Sequence, residues 1–273
     1  MFVNSTDGVQ VAVHDLAGHD PNLPVLLMSH ATGFHGRCYL PLARVLADRF
    51  HSVGLDYRGH GDTPQPAGVP VDWSRNADDV EAVALSLTRP LIAFGHSMGG
   101  ACLLMAAHRH PDLFSRLVIF EPIVFDPSLL GADEGPPDLA KIARRRRTTF
   151  ASIEAAIANF ASKPPLGSFT PEALDAYVRY GFREGDDGQV HLKCTPELEA
   201  ATFEASRNQI TWDLLPEISV PVLVACGVPE PESPAAHARS VADRLPNGTY
   251  VDMPELDHFG PMTHPDLIGA LFG

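Results

Sequence analysis

The sequence predicts an α/β architecture: a mostly parallel central sheet flanked by helices, with one mainly helical insertion. Three observations predict it. Short apolar runs alternate with helix-patterned segments along most of the chain. Several runs are near-continuously apolar, as in strands covered on both faces. The alternation lapses once, between about Asp126 and Thr211.

The elements follow in order. The stretch "MFVNSTDGVQVAVHDLAG" alternates apolar and polar residues around Asp7-Gly8, the signature of a hairpin. It lacks a basic n-region and an apolar h-region, so it does not read as a signal peptide. Strand-like runs cover Val25 to Ser29, Ser52 to Asp56, Leu91 to Gly95, Leu117 to Glu121, Val220 to Gly227 and Thr249 to Met253. Helical patterns cover Arg37 to Arg49, Ala77 to Leu87, Met98 to His108, Pro234 to Arg244 and His264 to Phe272. Strands alternating with helices imply parallel pairing through right-handed crossovers. Residues 1–125 and 212–273 therefore form the core domain, and 126–211 an inserted lid over the strand ends. Within the lid, "YGFREGDDGQVHLKC" sets a Gly- and Asp-rich turn between two β-capable runs, a second hairpin.

Composition narrows the function. The 273 residues are 45% hydrophobic and 20% charged, enough for a substantial core. A formal charge of -14 argues against nucleic acid or an anionic membrane surface as partner. No apolar run approaches the roughly 20 residues that cross a bilayer. Cys38, Cys102, Cys194 and Cys226 are scattered through apolar segments, as expected of buried free thiols in a reducing compartment. A cytoplasmic protein is the expectation, and composition does not set the oligomeric state.

The chemistry centres on "LIAFGHSMGGACLLMAAHR", an apolar run, then G-x-S-x-G, then a helix. This is a nucleophile elbow, with Ser97 on a strained turn and near-bare residues, Gly95 and Gly99, two positions either side. A serine hydroxyl needs a base, and the base an orienting acid, in the chain order serine, acid, histidine. His258 in "MPELDHFGPMTHPD", after the last strand, is the candidate base, and His264 before Pro265 reads as structural. The acid is sought just beyond the preceding strand, where "VPVLVACGVPEPESP" offers Glu230 and, behind it, Glu232.

With these motifs the chain resembles the α/β-hydrolase family, whose members often carry G-x-x-D-x-x-x-P after that strand; Gly227, Glu230 and Pro234 fall on the three fixed positions. The resemblance implies a Ser97–Glu230–His258 triad, with Glu where Asp is commoner. It also implies an alternative, since some members place the acid after an earlier strand, which here means Glu121 or Asp126 in "VIFEPIVFDPS". "MSHATGF" is similar to the family's loop bearing an oxyanion-hole residue: His30 is retained, Ala31 replaces a glycine, and Thr32 takes the donor position beside Met98. His30 is a candidate substrate contact. "LDYRGHGDT" resembles a structural turn built on Asp56, Arg58, Gly59 and Gly61.

In "LAKIARRRRTTF", helical spacing puts Arg146 on a stripe with Leu139, Ile142, Ala143 and Phe150. On a lid helix, Arg146 would pair with a buried carboxylate or meet a substrate anion. No H-E-x-x-H or complete dinucleotide motif is present, so neither metal nor cofactor is implied. The expectation is a serine hydrolase for a small or medium carboxylic ester, lactone or thioester. The alternatives are a C–C bond hydrolase, a cofactor-free haloperoxidase- or lyase-type enzyme with the same triad, and a ligand receptor that keeps the fold.

Overall fold

A computed structural model describes residues 1–129, 138–229 and 233–273. The hairpin β1 (Phe2–Asn4) and β2 (Gln10–Ala17) turns at Asp7 and Gly8, both at positive φ. Then come β3 (Val25–Ser29), α1 (Leu40–Val45), β4 (His51–Leu55), α2 (Trp73–Ser86), β5 (Leu91–His96), α3 (Met98–Arg109) and β6 (Phe114–Phe120). The insertion holds α4 (Asp138–Ala143), β7 (Thr149–Phe150), α5 (Ile153–Ala161), α6 (Pro171–Gly181), β8 (Phe182–Glu184), β9 (Val190–Leu192) and α7 (Pro196–Ala205). The chain closes with α8 (Thr211–Leu214), β10 (Val222–Cys226), α9 (Ala235–Arg244), β11 (Gly248–Asp252), α10 (Gly260–Thr263) and α11 (Pro265–Gly269).

The main sheet runs β1-β2-β4-β3-β5-β6-β10-β11, antiparallel only at the β1–β2 and β2–β4 pairs. Neighbouring residues on β3 show why its sequence is continuously apolar. Leu27 packs with Val53, Ala93 and Ile119 toward α2 and α3, while Leu26 and Met28 pack with Phe94, Val118 and Phe120 toward α1 and α11. A strand covered on both faces has no solvent side on which to place polar residues.

The insertion carries its own sheet, β7-β9-β8, antiparallel throughout, and β8 and β9 are the hairpin expected within Tyr180 to Cys194. It is tied to the core by Thr170 N–H donating to the Met262 carbonyl and by Trp73 Nε1–H donating to the Thr202 carbonyl at 2.9 Å. One expectation fails here. The helical stripe drawn from Leu139 to Phe150 does not exist: α4 ends at Ala143, Ala140 and Ala143 are its buried residues, and Leu139 and Ile142 are exposed. Thr148, Thr149 and Phe150 favour extended backbone, and Phe150 buries itself in β7.

All four cysteines are free and buried, as their apolar surroundings suggested. Among the described residues no helix is long and apolar enough to cross a membrane.

Candidate active site

Five loops leave the C-terminal ends of parallel strands β3, β5, β6, β10 and β11, where ligands bind in open α/β sheets. Ser97 follows β5 with φ 56° and ψ -119°, a strained conformation for a residue bearing a side chain. Its glycines make the turn possible. A Cβ on Gly99 would lie 2.2 Å from the Ser29 carbonyl oxygen, and one on Gly95 would lie 2.7 Å from Gly100 Cα. Two backbone hydrogen bonds then fix the serine: its N–H donates to Phe120 O at 3.1 Å, and its carbonyl accepts from Ile123 N–H at 3.2 Å.

The register that pairs His96 with Phe120 makes Ser97 and Glu121 successors on adjacent strands. Glu121 is buried at φ 46°, with its N–H bonded to Ala225 O. Its carboxylate accepts from His258 Nδ1–H at 2.6 Å on one oxygen and from Gly227 N–H at 2.9 Å on the other. Since a carboxylate only accepts, the proton sits on Nδ1 and leaves Nε2 of His258 as a free base.

Glu230 and Glu232 lie outside the described residues; among the described residues the carboxylate that meets His258 is Glu121, the alternative acid. The end of β10, where the acid was sought, instead supplies the Gly227 amide that holds Glu121. Gly227 is pressed against the His258 loop, where a Cβ would lie 2.1 Å from Leu256 O. Asp126, the other alternative, turns its carboxylate to its own turn, where it accepts from Ser128 N–H at 2.9 Å. A signal for Glu121 was present in the sequence: a carboxylate ending the continuously apolar run Leu117–Phe120 demands a partner.

Ser97 is almost covered and His258 partly exposed. Among the described residues no hydrogen bond joins Ser97 Oγ to His258, a bond that commonly tightens only with substrate in place. The His258 ring lies against His96, the residue preceding Ser97, with centroids 4.8 Å apart.

Thr32 and Met98 adjoin each other, Thr32 Oγ1 lying 3.4 Å from Met98 Sδ. Met98 opens α3, so its amide is one of the helix's free N–H groups. The peptide joining Ala31 to Thr32 is oriented by His30, whose Nδ1–H donates to Ala31 O at 2.7 Å and turns the Thr32 N–H the opposite way. His30 Nε2 accepts from Tyr57 N–H at 3.0 Å. With both ring nitrogens engaged and no exposed surface, His30 shapes this loop and leaves neither nitrogen open for the substrate contact expected of it. Burial depresses its pKa to about 3, so it stays neutral. Ala31 needs no glycine, since the positive φ falls at Gly33, at 77°.

Arg146 meets the carboxylate expected of it. Nη1 donates to Glu199 at 2.5 Å and Nη2 to the Tyr177 hydroxyl, both partners buried. The pair abuts the Thr32 loop, because a Cβ on Gly33 would lie 2.4 Å from Glu199 Oε1. Around it Phe34 packs on Tyr177 (5.2 Å) and Phe169 on Phe259 (5.7 Å), forming an aromatic wall that reaches the neighbour of His258. An open groove of about 920 Å³, between the Gly59–Gln65 turn and Lys193–Leu198, contains none of these groups.

The turn of "LDYRGHGDT" is structural. Asp56 accepts from Gly36 and Asp62 N–H and from His14, and Arg58 grips Asp79 with two nitrogens, at 2.7 and 3.0 Å.

A strained serine after a parallel strand, with a carboxylate-bound histidine and the amides of Thr32 and Met98, is the arrangement of a nucleophilic hydrolase. The chain belongs to the alpha/beta hydrolase family, whose profile matches residues 25–271. It is similar to 2-(acetamidomethylene)succinate hydrolase of Mesorhizobium japonicum, 26% identical over 89% of this chain and 84% of that protein. It is also similar to the pimeloyl-[acyl-carrier protein] methyl ester esterase of Neisseria meningitidis serogroup A, 28% identical over 80% of this chain and 65% of that one. Among solved structures, the thioesterase domain from the curacin biosynthetic pathway superposes with a TM-score of 0.79 at 17% identity, covering 99% of this chain and 97% of that one, a likeness of fold.

Proposed function

We propose that this hydrolase is a serine enzyme that cleaves a small or medium carboxylic ester, lactone or thioester through an acyl-enzyme. The observation that carries the reading is the 2.6 Å contact between His258 Nδ1 and the buried Glu121, on the strand next to Ser97. Ser97 Oγ attacks the acyl carbon as His258 Nε2 takes its proton. Glu121 holds the tautomer that makes this possible and stabilises the imidazolium that forms. The Thr32 and Met98 amides receive the oxyanion, each worth about 2.7–4 kcal/mol in the transition state. The leaving group departs with the proton from His258, and water repeats the sequence on the acyl-enzyme. The steps call on no cofactor, and the partner is a small-molecule acyl substrate.

An amide substrate is a second reading, favoured by the acetamido group in the name of the Mesorhizobium relative. His258 would then protonate the leaving nitrogen. The test is labelling by a fluorophosphonate at neutral pH, followed by turnover of an ester, lactone, thioester, amide and vinylogous diketone panel. Labelling that disappears in Ser97→Ala, with fast multiple turnover of an ester, supports the first reading. Turnover confined to the amide selects the second. Cleavage of the diketone alone would make the protein a C–C hydrolase. Labelling without turnover of any substrate would make it a receptor.

A further inference from the structure

Two buried side chains that the proposed chemistry does not use lie between its parts. Tyr39 and His96 have no exposed surface. Tyr39 OH lies 2.9 Å from His96 Nδ1 and accepts from Ala31 N–H at 3.2 Å, while His96 Nε2 lies 2.8 Å from the backbone carbonyl oxygen of His258.

Only one assignment of hydrogens satisfies all three contacts. The His258 carbonyl accepts only, so His96 Nε2 carries a hydrogen. Burial lowers the His96 pKa well below the usual histidine range, so the ring is neutral and Nδ1 is an acceptor. Tyr39 O–H therefore donates to Nδ1, and its lone pairs take the Ala31 N–H. The chain runs one way: Ala31 N–H to Tyr39 O–H to His96, and His96 Nε2–H to the His258 carbonyl.

Each end is next to a reacting group. Ala31 precedes Thr32, and His30 already holds the far side of the Ala31–Thr32 peptide. The other end is the backbone of the base itself. The middle member, His96, is covalently joined to Ser97. We propose that Tyr39 and His96 are positioning residues that tie the oxyanion loop, the nucleophile and the base loop into one unit. The proposal rests on the acyl-transfer reading. Its chemical logic is that catalytic groups lose rate when misplaced by fractions of an ångström, even with binding intact. Neither residue touches substrate or a reacting atom.

The two branches are cut separately. Tyr39→Phe deletes one oxygen and leaves Ala31 N–H and His96 Nδ1 unpaired, loosening the oxyanion loop. His96→Asn keeps a polar group near Nδ1 but is too short to reach the His258 carbonyl. His96→Gln places an N–H near the Nε2 position and restores that reach. Activity on an ester substrate is measured well below each variant's melting temperature, with folding checked by circular dichroism. For Tyr39→Phe the expected result is a fall in kcat of about tenfold or more with KM within about twofold, and a matching weakening of a boronic acid that mimics the tetrahedral adduct. For His96→Asn the expected result is slower fluorophosphonate labelling, also about tenfold or more, regained in large part by His96→Gln.

The positioning role is overturned if Tyr39→Phe keeps kcat within twofold, if KM and kcat change together, or if His96→Asn and His96→Gln label at the same rate. A wild-type protein that takes up no fluorophosphonate would instead defeat the serine-hydrolase reading, which separates the two failures.

Discussion

Exchanging Glu121 for Gln tests the acid directly, because the structure separates its charge from its shape. The carboxylate is buried and makes two hydrogen bonds, to His258 Nδ1–H and to Gly227 N–H. In Glu121→Gln the amide oxygen continues to accept from Gly227, which turns the NH2 toward His258. Two donors cannot share one bond, so His258 must present Nδ1 as an acceptor and move its hydrogen to Nε2. The nitrogen that should take the Ser97 proton is then occupied.

In Ser–His–acid triads this amide exchange lowers kcat by about 10⁴, which at 1.36 kcal/mol per tenfold is about 5.4 kcal/mol of transition-state stabilisation. The fold should lose far less. The volume is unchanged, the backbone at φ 46° keeps the same kind of side chain, and one hydrogen bond is retained. A loss of about 1–2 kcal/mol, or a few degrees in Tm, is expected. The assay is steady-state hydrolysis of an activated ester, with fluorophosphonate labelling of Ser97 and circular dichroism for stability. Glu230→Gln, made in parallel, should retain activity within a few-fold. A Glu121→Gln enzyme within tenfold of wild type, beside a Glu230→Gln enzyme that has collapsed, would refute the assignment.

Three further outcomes are expected. Gly33→Ala places a methyl at positive φ and 2.4 Å from Glu199 Oε1; kcat should fall at least tenfold and stability by about 1–2 kcal/mol, read by kinetics and thermal melts. Arg146→Met leaves the buried Glu199 carboxylate without its cation and should cost about 3–5 kcal/mol, most of it recovered in the Arg146→Met, Glu199→Gln double variant. If Arg146 serves only this pair, the double variant will show the same KM ratio for anionic and neutral esters as wild type. The third concerns acid. Burial holds His30 near 3 and His35 and His60 near 4, all below the unfolded value of 6.5. The unfolded chain therefore binds more protons between about pH 6.5 and 4, and stability present above 6.5 is lost as pH falls through that window. Each ring adds up to about 1.4 kcal/mol per pH unit, so Tm against pH should drop steeply there, and His60→Gln should flatten the slope.

What the sequence disclosed was what local physics decides. Near-continuous apolarity marked several strands, β3 and β10 among them, the spacing of Gly95, Ser97 and Gly99 marked the elbow, and the loop after β11 delivered His258. What stayed hidden depends on which backbones become neighbours. Glu230 stood at a familiar offset within its own motif, whereas Glu121 owes its proposed role to lying beside Ser97 across two strands. Arg146 shows the same limit: helical periodicity placed it on an inward stripe for a reason that does not hold, since α4 stops at Ala143. Its partly buried position is set by Glu199 and Tyr177, 53 and 31 residues further along the chain.

An acid at the residue following β6 has a mechanical consequence. Ser97 and Glu121 are joined across adjacent strands by the Ser97 N–H to Phe120 O bond, and Ile123 N–H returns to Ser97 O, so nucleophile and acid form one rigid piece of sheet. Of the three side chains of the proposed triad only His258 arrives on a separate loop, and it is held there by the Glu121 carboxylate at its ring and by His96 at its carbonyl. Both restraints come from that same piece of sheet. The aromatic wall, by contrast, takes Phe169 and Tyr177 from the insertion and Phe34 and Phe259 from the core. Substitutions at Phe169 or Tyr177 should therefore change which substrates are accepted while fluorophosphonate labelling of Ser97 stays close to wild type. Substitutions at β5 and β6 should act on the labelling itself. A Phe169→Ala variant whose labelling rate fell as far as that of Glu121→Gln would show that the insertion takes part in assembling the triad, and the division between a sheet that holds the chemistry and an insertion that selects would be lost.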